Sequence, residues 1–303
     1  MECSKFLILG IRVNNILYVK DRKFMAKADK NVALLAVELE YKPTNDVLFK
    51  MYFRDYPELL KRLIAEVLGI QFESIENFVI KNPEMPPDAM REKFCKLDIV
   101  MEVDGRLIDL EVQVADEKNY RERSLYNWAR LFSSGLPTGN DYSKLPPSIV
   151  ISILAFPLFD CVEYRSEFRA LEVTRHELLT DKMGLYYFEL PKLPEVTDGS
   201  DGLKLWMAFF NAKTEADLLK IQSLGGAIMV QAVKAYHRVS ASGEFRELER
   251  LRARARLDEA NALSGAERKG KMIAAKNMLA GGVDANTVAE WAQLSLDEVL
   301  RLK

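Results

Sequence analysis

The chain has 303 residues, 49% of them hydrophobic and 29% charged, with a formal net charge of −2 and a pI of about 6.0. Such a composition fits one large or two ordinary globular domains; it excludes a disordered chain, and any nucleic-acid surface has to be a local patch. Three scattered cysteines (Cys3, Cys95, Cys161) and two distant histidines (His176, His237) offer neither a disulfide framework nor zinc-ligand spacing. No stretch approaches the roughly 18 apolar residues of a membrane span, so a soluble, cytoplasmic protein without membrane contact is expected.

Residues 1–24 differ in character from the polar segment that begins at Met25, and 1–40 read as an N-terminal extension, either ill-ordered or the product of a misplaced start. Thr44-Asn45-Asp46 offers N-cap side chains ahead of VLFKMYF. The run PELLKRLIAEVLG (57–69) carries apolar residues at helical spacing and ends in glycine, which predicts two helices or one broken at Pro57. A short strand at 75–80 leads into a proline-rich loop at 82–87.

The next segment, KLDIVMEV-DG-RLIDLEVQV, alternates apolar and polar residues on both sides of Asp104-Gly105, the signature of a hairpin with a two-residue type I′ turn. That turn sets the register: Val103 faces Arg106, Asp98 faces Glu111 and Lys96 faces Gln113. Leu97, Ile99 and Met101 then share an apolar face with Ile108, Leu110 and Val112, while Lys96, Asp98, Glu111 and Gln113 share the other. Opposed carboxylates, with β-carbons about 4.5–5.5 Å apart, destabilise a sheet unless something compensates them. A hard divalent cation does so, and so does an ordinary ion-pair lattice in which Lys96 neutralises Glu111; the hairpin alone leaves both open.

From 117 to 136 the spacing predicts a two-faced helix. Arg121, Leu125, Trp128 and Phe132 fall on the side expected to face the sheet, where Arg121 would need an anion, either a phosphate or a structural carboxylate. Tyr120, Arg123, Asn127 and Arg130 fall on the side expected to face solvent, and there Arg123 and Arg130 either track a DNA backbone or form an ordinary wet face. The continuous apolar run at 148–156 reads as a central buried strand, with further strand-like pieces at 162–173 and 185–190 closing an α/β core at 41–195.

A helical extension follows at 196–243, whose Trp206, Met207, Phe209 and Phe210 read as core. Residues 244–303 comprise a charged, solvated helix and a tail that divides into helix, Gly-Gly turn, helix and helix, with spacing like a helix-turn-helix. The last segment exposes Asp297 and Glu298, so the tail serves either DNA docking or packing, including homo-oligomer formation through these helices.

Taken together, TNDVLFKMYF, LDIVMEVDGRLIDLEVQV, YRERSLYNWARLFSSGL, GNDYSKLPPSIVISIL and the helical tail resemble the recombination-promoting nuclease/transposase family of the PD-(D/E)XK superfamily, over roughly residues 44–300. The resemblance implies a restriction-endonuclease-like mixed central sheet flanked by helices, with a C-terminal helical region. It also implies a metal-dependent DNA endonuclease associated with recombination or transposition. Asp98 stands at the motif's aspartate and Glu111-Val112-Gln113 at its (D/E)-x-K. The metal, Mg²⁺ or Mn²⁺, would be held by Asp98, Glu111 and the Val112 backbone carbonyl, with Glu66 resembling a helix carboxylate aimed at it or else lying on the helix surface. Asp46 matches the family's opening motif and equally serves as a helix-start residue. Gln113 departs from the motif by supplying no charge. Lys96, across from it, either contributes the missing cation or snorkels outward. A silent DNA-binding or scaffold protein and an RNA-directed nuclease are the alternatives.

Overall fold

The computed structural model describes residues 37–81, 98–116, 118–136, 139 and 141–302. Two compact units are present, the first ending at Phe245 and the second beginning at Arg246.

In the first unit, Asn45 starts α1 (Asp46–Asp55) by accepting from the Leu48 N–H at 2.9 Å. Pro57, whose missing N–H costs nothing at a first helical position, opens a separate helix α2 (Pro57–Leu68). Six strands, β1 (Phe78–Ile80), β2 (Ile99–Val103), β3 (Arg106–Gln113), β4 (Ser148–Leu154), β5 (Arg165–Phe168) and β6 (Met183–Glu189), form one mixed sheet in the order β1-β2-β3-β4-β6-β5. β2 and β3 pair antiparallel in the expected register, Ile99 with Leu110, Met101 with Ile108 and Val103 with Arg106. Asp104 and Gly105 both have positive φ (45° and 75°), the type I′ turn that matches the twist of the flanking strands.

The parallel pairs β3–β4 and β4–β6 need crossovers, and α3 (Tyr120–Ser134) supplies the first. Both faces of the central strands are consequently covered, and every residue of β4 is buried. On the α3 side lie Tyr120, Leu131, Val150, Leu154, Leu185 and Tyr187, while Ile99, Met101, Val103, Ile108 and Leu110 are buried on the opposite side.

Helices α4 (Gly202–Asn211) and α5 (Glu215–Ser240) belong to this same unit. Phe49 and Phe53 of α1 meet Phe210 of α4, and Tyr52 meets Phe209, at ring separations of 5.7–6.2 Å, with Trp206 beside both α4 phenylalanines. The aromatic cluster expected to be core is core. Gly226, at φ 58° and ψ −147°, breaks α5 internally, a conformation open to glycine and strained for other residues.

In the second unit, the long helix α6 (Gly243–Ala280, shared at its start with the first unit) is followed by α7 (Ala285–Ala292) and α8 (Leu296–Leu300). Ala275, Val288, Ala292 and Val299 form its small core. Asp284 and Ser295 cap the short helices, and Glu298 pairs with Arg268 at 2.5 Å. Among the described residues no helix is long and apolar enough to cross a membrane.

The hairpin turn also anchors the sheet edge. Asp104 Oδ1 accepts from the Glu76 and Asn77 N–H groups at 3.1 and 2.8 Å, fixing the entry to β1. Asp104→Ala removes the acceptor of both hydrogen bonds and leaves an alanine at positive φ, so chemical denaturation should show a loss of about 1–2 kcal/mol, with the midpoint shifted and the fold retained.

Candidate active site

Because side chains alternate along a strand, Asp109, Glu111 and Gln113 of β3 share the sheet face that α3 covers. Asp98 lies one residue beyond the last β2–β3 rung, where its Oδ2 accepts from the Val112 N–H at 3.1 Å and its Oδ1 pairs with Lys50 Nζ of α1 at 2.8 Å. Asp109 is fully buried and neither of its carboxylate oxygens accepts from a donor. Its neighbour is Glu111, 6% exposed, whose Oε1 accepts from Asn127 Nδ2 at 2.6 Å and whose Oε2 accepts from the Tyr120 hydroxyl at 3.1 Å. Ser152, on the adjacent rung of β4, in turn hydrogen-bonds Tyr120 at 3.0 Å.

Burial pushes the Asp109 carboxyl well above the usual carboxylate range, and the charges of Glu111 and Asp98 push it further, with Lys50 opposing. Burial and Asp98 also raise Glu111, against the pull of Arg123 and the Tyr120 hydroxyl. Two buried carboxyls within reach of each other must share a proton or a cation. An all-oxygen donor set with orphaned lone pairs fits a hard divalent cation. As the side chains stand, no three His, Cys, Asp or Glu groups among the described residues converge into a metal-ligand cluster; Lys50 is the cation paired with Asp98.

The helix α3 is turned by one residue, roughly 100°, from the sequence expectation. Tyr120, Ser124, Asn127 and Leu131 are buried, whereas Leu125 is exposed. The reason is chemical: the strand face beneath carries Glu111, Ser152 and Tyr187, so the helix buries the polar groups that satisfy them, Ser124 Oγ lying 2.6 Å from the Tyr187 hydroxyl. Trp128 is half-buried, its indole N–H donating to the Ser148 carbonyl at 3.0 Å.

Arg121, expected against the sheet with an anionic partner, is exposed, donates to the Leu158 carbonyl at 2.5 Å and covers the Phe159 ring. Arg130 is exposed over the Tyr126 ring. Arg123, expected in solvent, is half-buried: its Nη2 donates to Gln113 Oε1 at 2.5 Å and its guanidinium lies 4.8 Å over the Tyr120 ring. Gln113 Nε2 donates to the Ala115 carbonyl at 2.8 Å, so its amide is held at both ends.

Glu66 is not brought to this cluster. Its carboxylate packs against Gly202 at the start of α4, where burial and the nearby Asp201 raise its pKa. Val112 contributes its N–H, to Asp98. Asp46 accepts from the Val47 N–H as a helix-start residue. Lys96 lies outside the described residues. Asp109 and Lys50 were not among the residues expected at the site, and Tyr120 and Asn127 were expected to face solvent. For Asp109 the signal was present, since it sits two residues before Glu111 on a strand whose face was already assigned.

A cavity of about 480 Å³ opens on the same sheet face, lined by Val100 and Leu107, which flank Asp109 in the ladder, and by Lys81 and Lys144. The family described as PD-(D/E)XK nuclease family transposase matches residues 43–266, which include every member of this cluster. No curated protein and no solved structure matches the chain.

In metal-free protein the raised carboxyls bind protons that the unfolded chain has released, so stability should fall as pH rises from about 4 through their folded pKa values, and level off above them. Asp109→Asn removes the main contributor. In EDTA at neutral pH it should raise the melting temperature, equivalent to at least about 1 kcal/mol, and flatten that pH profile. An unchanged profile would show that Asp109 carries no such penalty.

Proposed function

Since the chain belongs to the PD-(D/E)XK nuclease family transposases, we propose that it is a divalent-metal-dependent endonuclease that hydrolyses DNA phosphodiester bonds, in a role associated with recombination or transposition. The observation that carries this reading is the buried Asp109 with two undonated oxygens beside Glu111 and Asp98, a negative cluster that costs stability unless a cation shares it. Asp98, Asp109 and Glu111, with the Val112 carbonyl, are the groups to hold Mg²⁺ or Mn²⁺.

When bound, the cation supplies a water of lowered pKa and neutralises charge on the phosphate. The chain's own residues set the stage for it. Asn127 and Tyr120 fix both Glu111 oxygens, and Ser152 fixes Tyr120, so the carboxylate is presented in one orientation. Because burial raises both the Asp109 and Glu111 carboxyls, protons would compete with a cation for them, so loading would favour higher pH. Gln113 cannot exchange a proton and carries no charge, so its part is positional. The exposed Arg121 and Arg130 on α3 and Lys144 of the adjoining cavity are the cations this reading assigns to DNA phosphates.

Nicking of supercoiled plasmid should proceed with Mg²⁺ or Mn²⁺, stop in EDTA, and be abolished by Asp98→Ala or Glu111→Ala in folded protein. Either cation at millimolar concentration should raise the melting temperature of the wild type and not of these variants. Absence of both effects would overturn the assignment, and cleavage confined to RNA would move it to a different substrate.

A further inference from the structure

We propose that Arg123 is the catalytic cation of this site, contacting the scissile phosphate, and that Gln113 is the positioning residue that holds it; the inference rests on the nuclease reading above. Gln113 occupies the place at which the motif carries lysine, two residues beyond Glu111 and on the same face of β3. Its amide bridges two partners: Nε2 donates to the Ala115 carbonyl and Oε1 accepts from Arg123 Nη2 at 2.5 Å. The charge that the strand lacks is thus delivered from the first turn of α3 to the same position.

The rest of the environment supports that placement. The Tyr120 ring underlies the guanidinium at 4.8 Å, and the same Tyr120 hydroxyl donates to Glu111, so a single aromatic side chain spaces the cation from the carboxylate. Arg123 is half-buried, which strengthens its field relative to a surface arginine, and its charge acts on Glu111, where it opposes the upward pull of burial. A guanidinium is a planar fork of five donors and can serve an amide oxygen and a phosphate oxygen together, which an ammonium on a flexible stem does less well.

In hydrolysis a bond forms between phosphorus and the water oxygen, the bond to the deoxyribose oxygen breaks, and the water's proton passes through solvent to that leaving oxygen. Negative charge grows on the non-bridging phosphate oxygens meanwhile, and a fixed cation beside them favours the transition state over the ground state. Arg123, held by its hydrogen bond to Gln113 and its contact with the Tyr120 ring, requires little reorganisation as that charge appears.

The test pairs rates with equilibrium binding. Arg123→Ala should slow single-turnover nicking by about 100-fold or more while the melting temperature is kept. Arg123→Lys should fall between the two. Gln113→Lys placed in the Arg123→Ala background should recover at least about tenfold of the loss, because the strand then supplies the charge itself. Binding of a short DNA duplex in Ca²⁺ should lose about one unit of log–log salt slope in Arg123→Ala, which a packing role would not produce. Wild-type rates with an unchanged slope, or a loss that Gln113→Lys fails to recover, overturn the proposal. A wild type that neither nicks nor binds DNA overturns the nuclease reading instead, whereas an active wild type with an indifferent Arg123 removes only this inference.

Discussion

A carboxylate taken out of water must find a donor, a proton or a cation, and β3 takes out two in consecutive inward positions, Asp109 and Glu111. Much of the first unit answers that demand. Lys50 reaches from α1 to Asp98, Val112 turns its N–H to the same carboxylate, and α3 brings Tyr120 and Asn127 to Glu111. Among the described carboxylates of this cluster Asp109 is the one left without a donor, so the cost of the arrangement concentrates at that side chain. Local instability of this kind is what a ligand-binding site stores, and it is tolerable because the aromatic packing of α1 and α4 lies elsewhere in the same unit.

The hairpin was legible because its determinants are local. Asp104-Gly105 can adopt the two positive φ angles that a type I′ turn requires, and the alternation on either side then admits one register. The helix boundaries near Pro57 and the mixed sheet were readable for similar reasons, as proline and continuous apolar runs act within a few residues of themselves. The orientation of α3 was not legible from hydrophobicity. Apolar spacing selects Leu125 and Trp128 as the inner face, yet the inner face is set by what lies beneath it, and Glu111, Ser152 and Tyr187 come from three strands far apart in sequence. Lys50 was missed for the same cause, since its partner is 48 positions away in the chain.

This rotation changes the meaning of individual arginines. The side chain expected to point inward, Arg121, lies at the surface over Phe159, and the one expected outside, Arg123, reaches Gln113. A rotation of α3 by less than half a turn separates the two readings. The polar face is the one that closes its hydrogen bonds, and buried polar groups specify an orientation more sharply than apolar ones because their partners are not interchangeable.

The parallel register has a further consequence. Glu111, Ser152 and Tyr187 stand on one rung across β3, β4 and β6, and the helix answers them with Tyr120 and Ser124. These five positions are coupled through their hydrogen bonds: a phenylalanine at 120 strands polar atoms of both Glu111 and Ser152, so change at one position is constrained by the others. Divergent descendants of this chain would keep the rung entire or exchange its members together, and coordinated change at 111, 120, 124, 152 and 187 would trace the history of the fold more faithfully than any one of them.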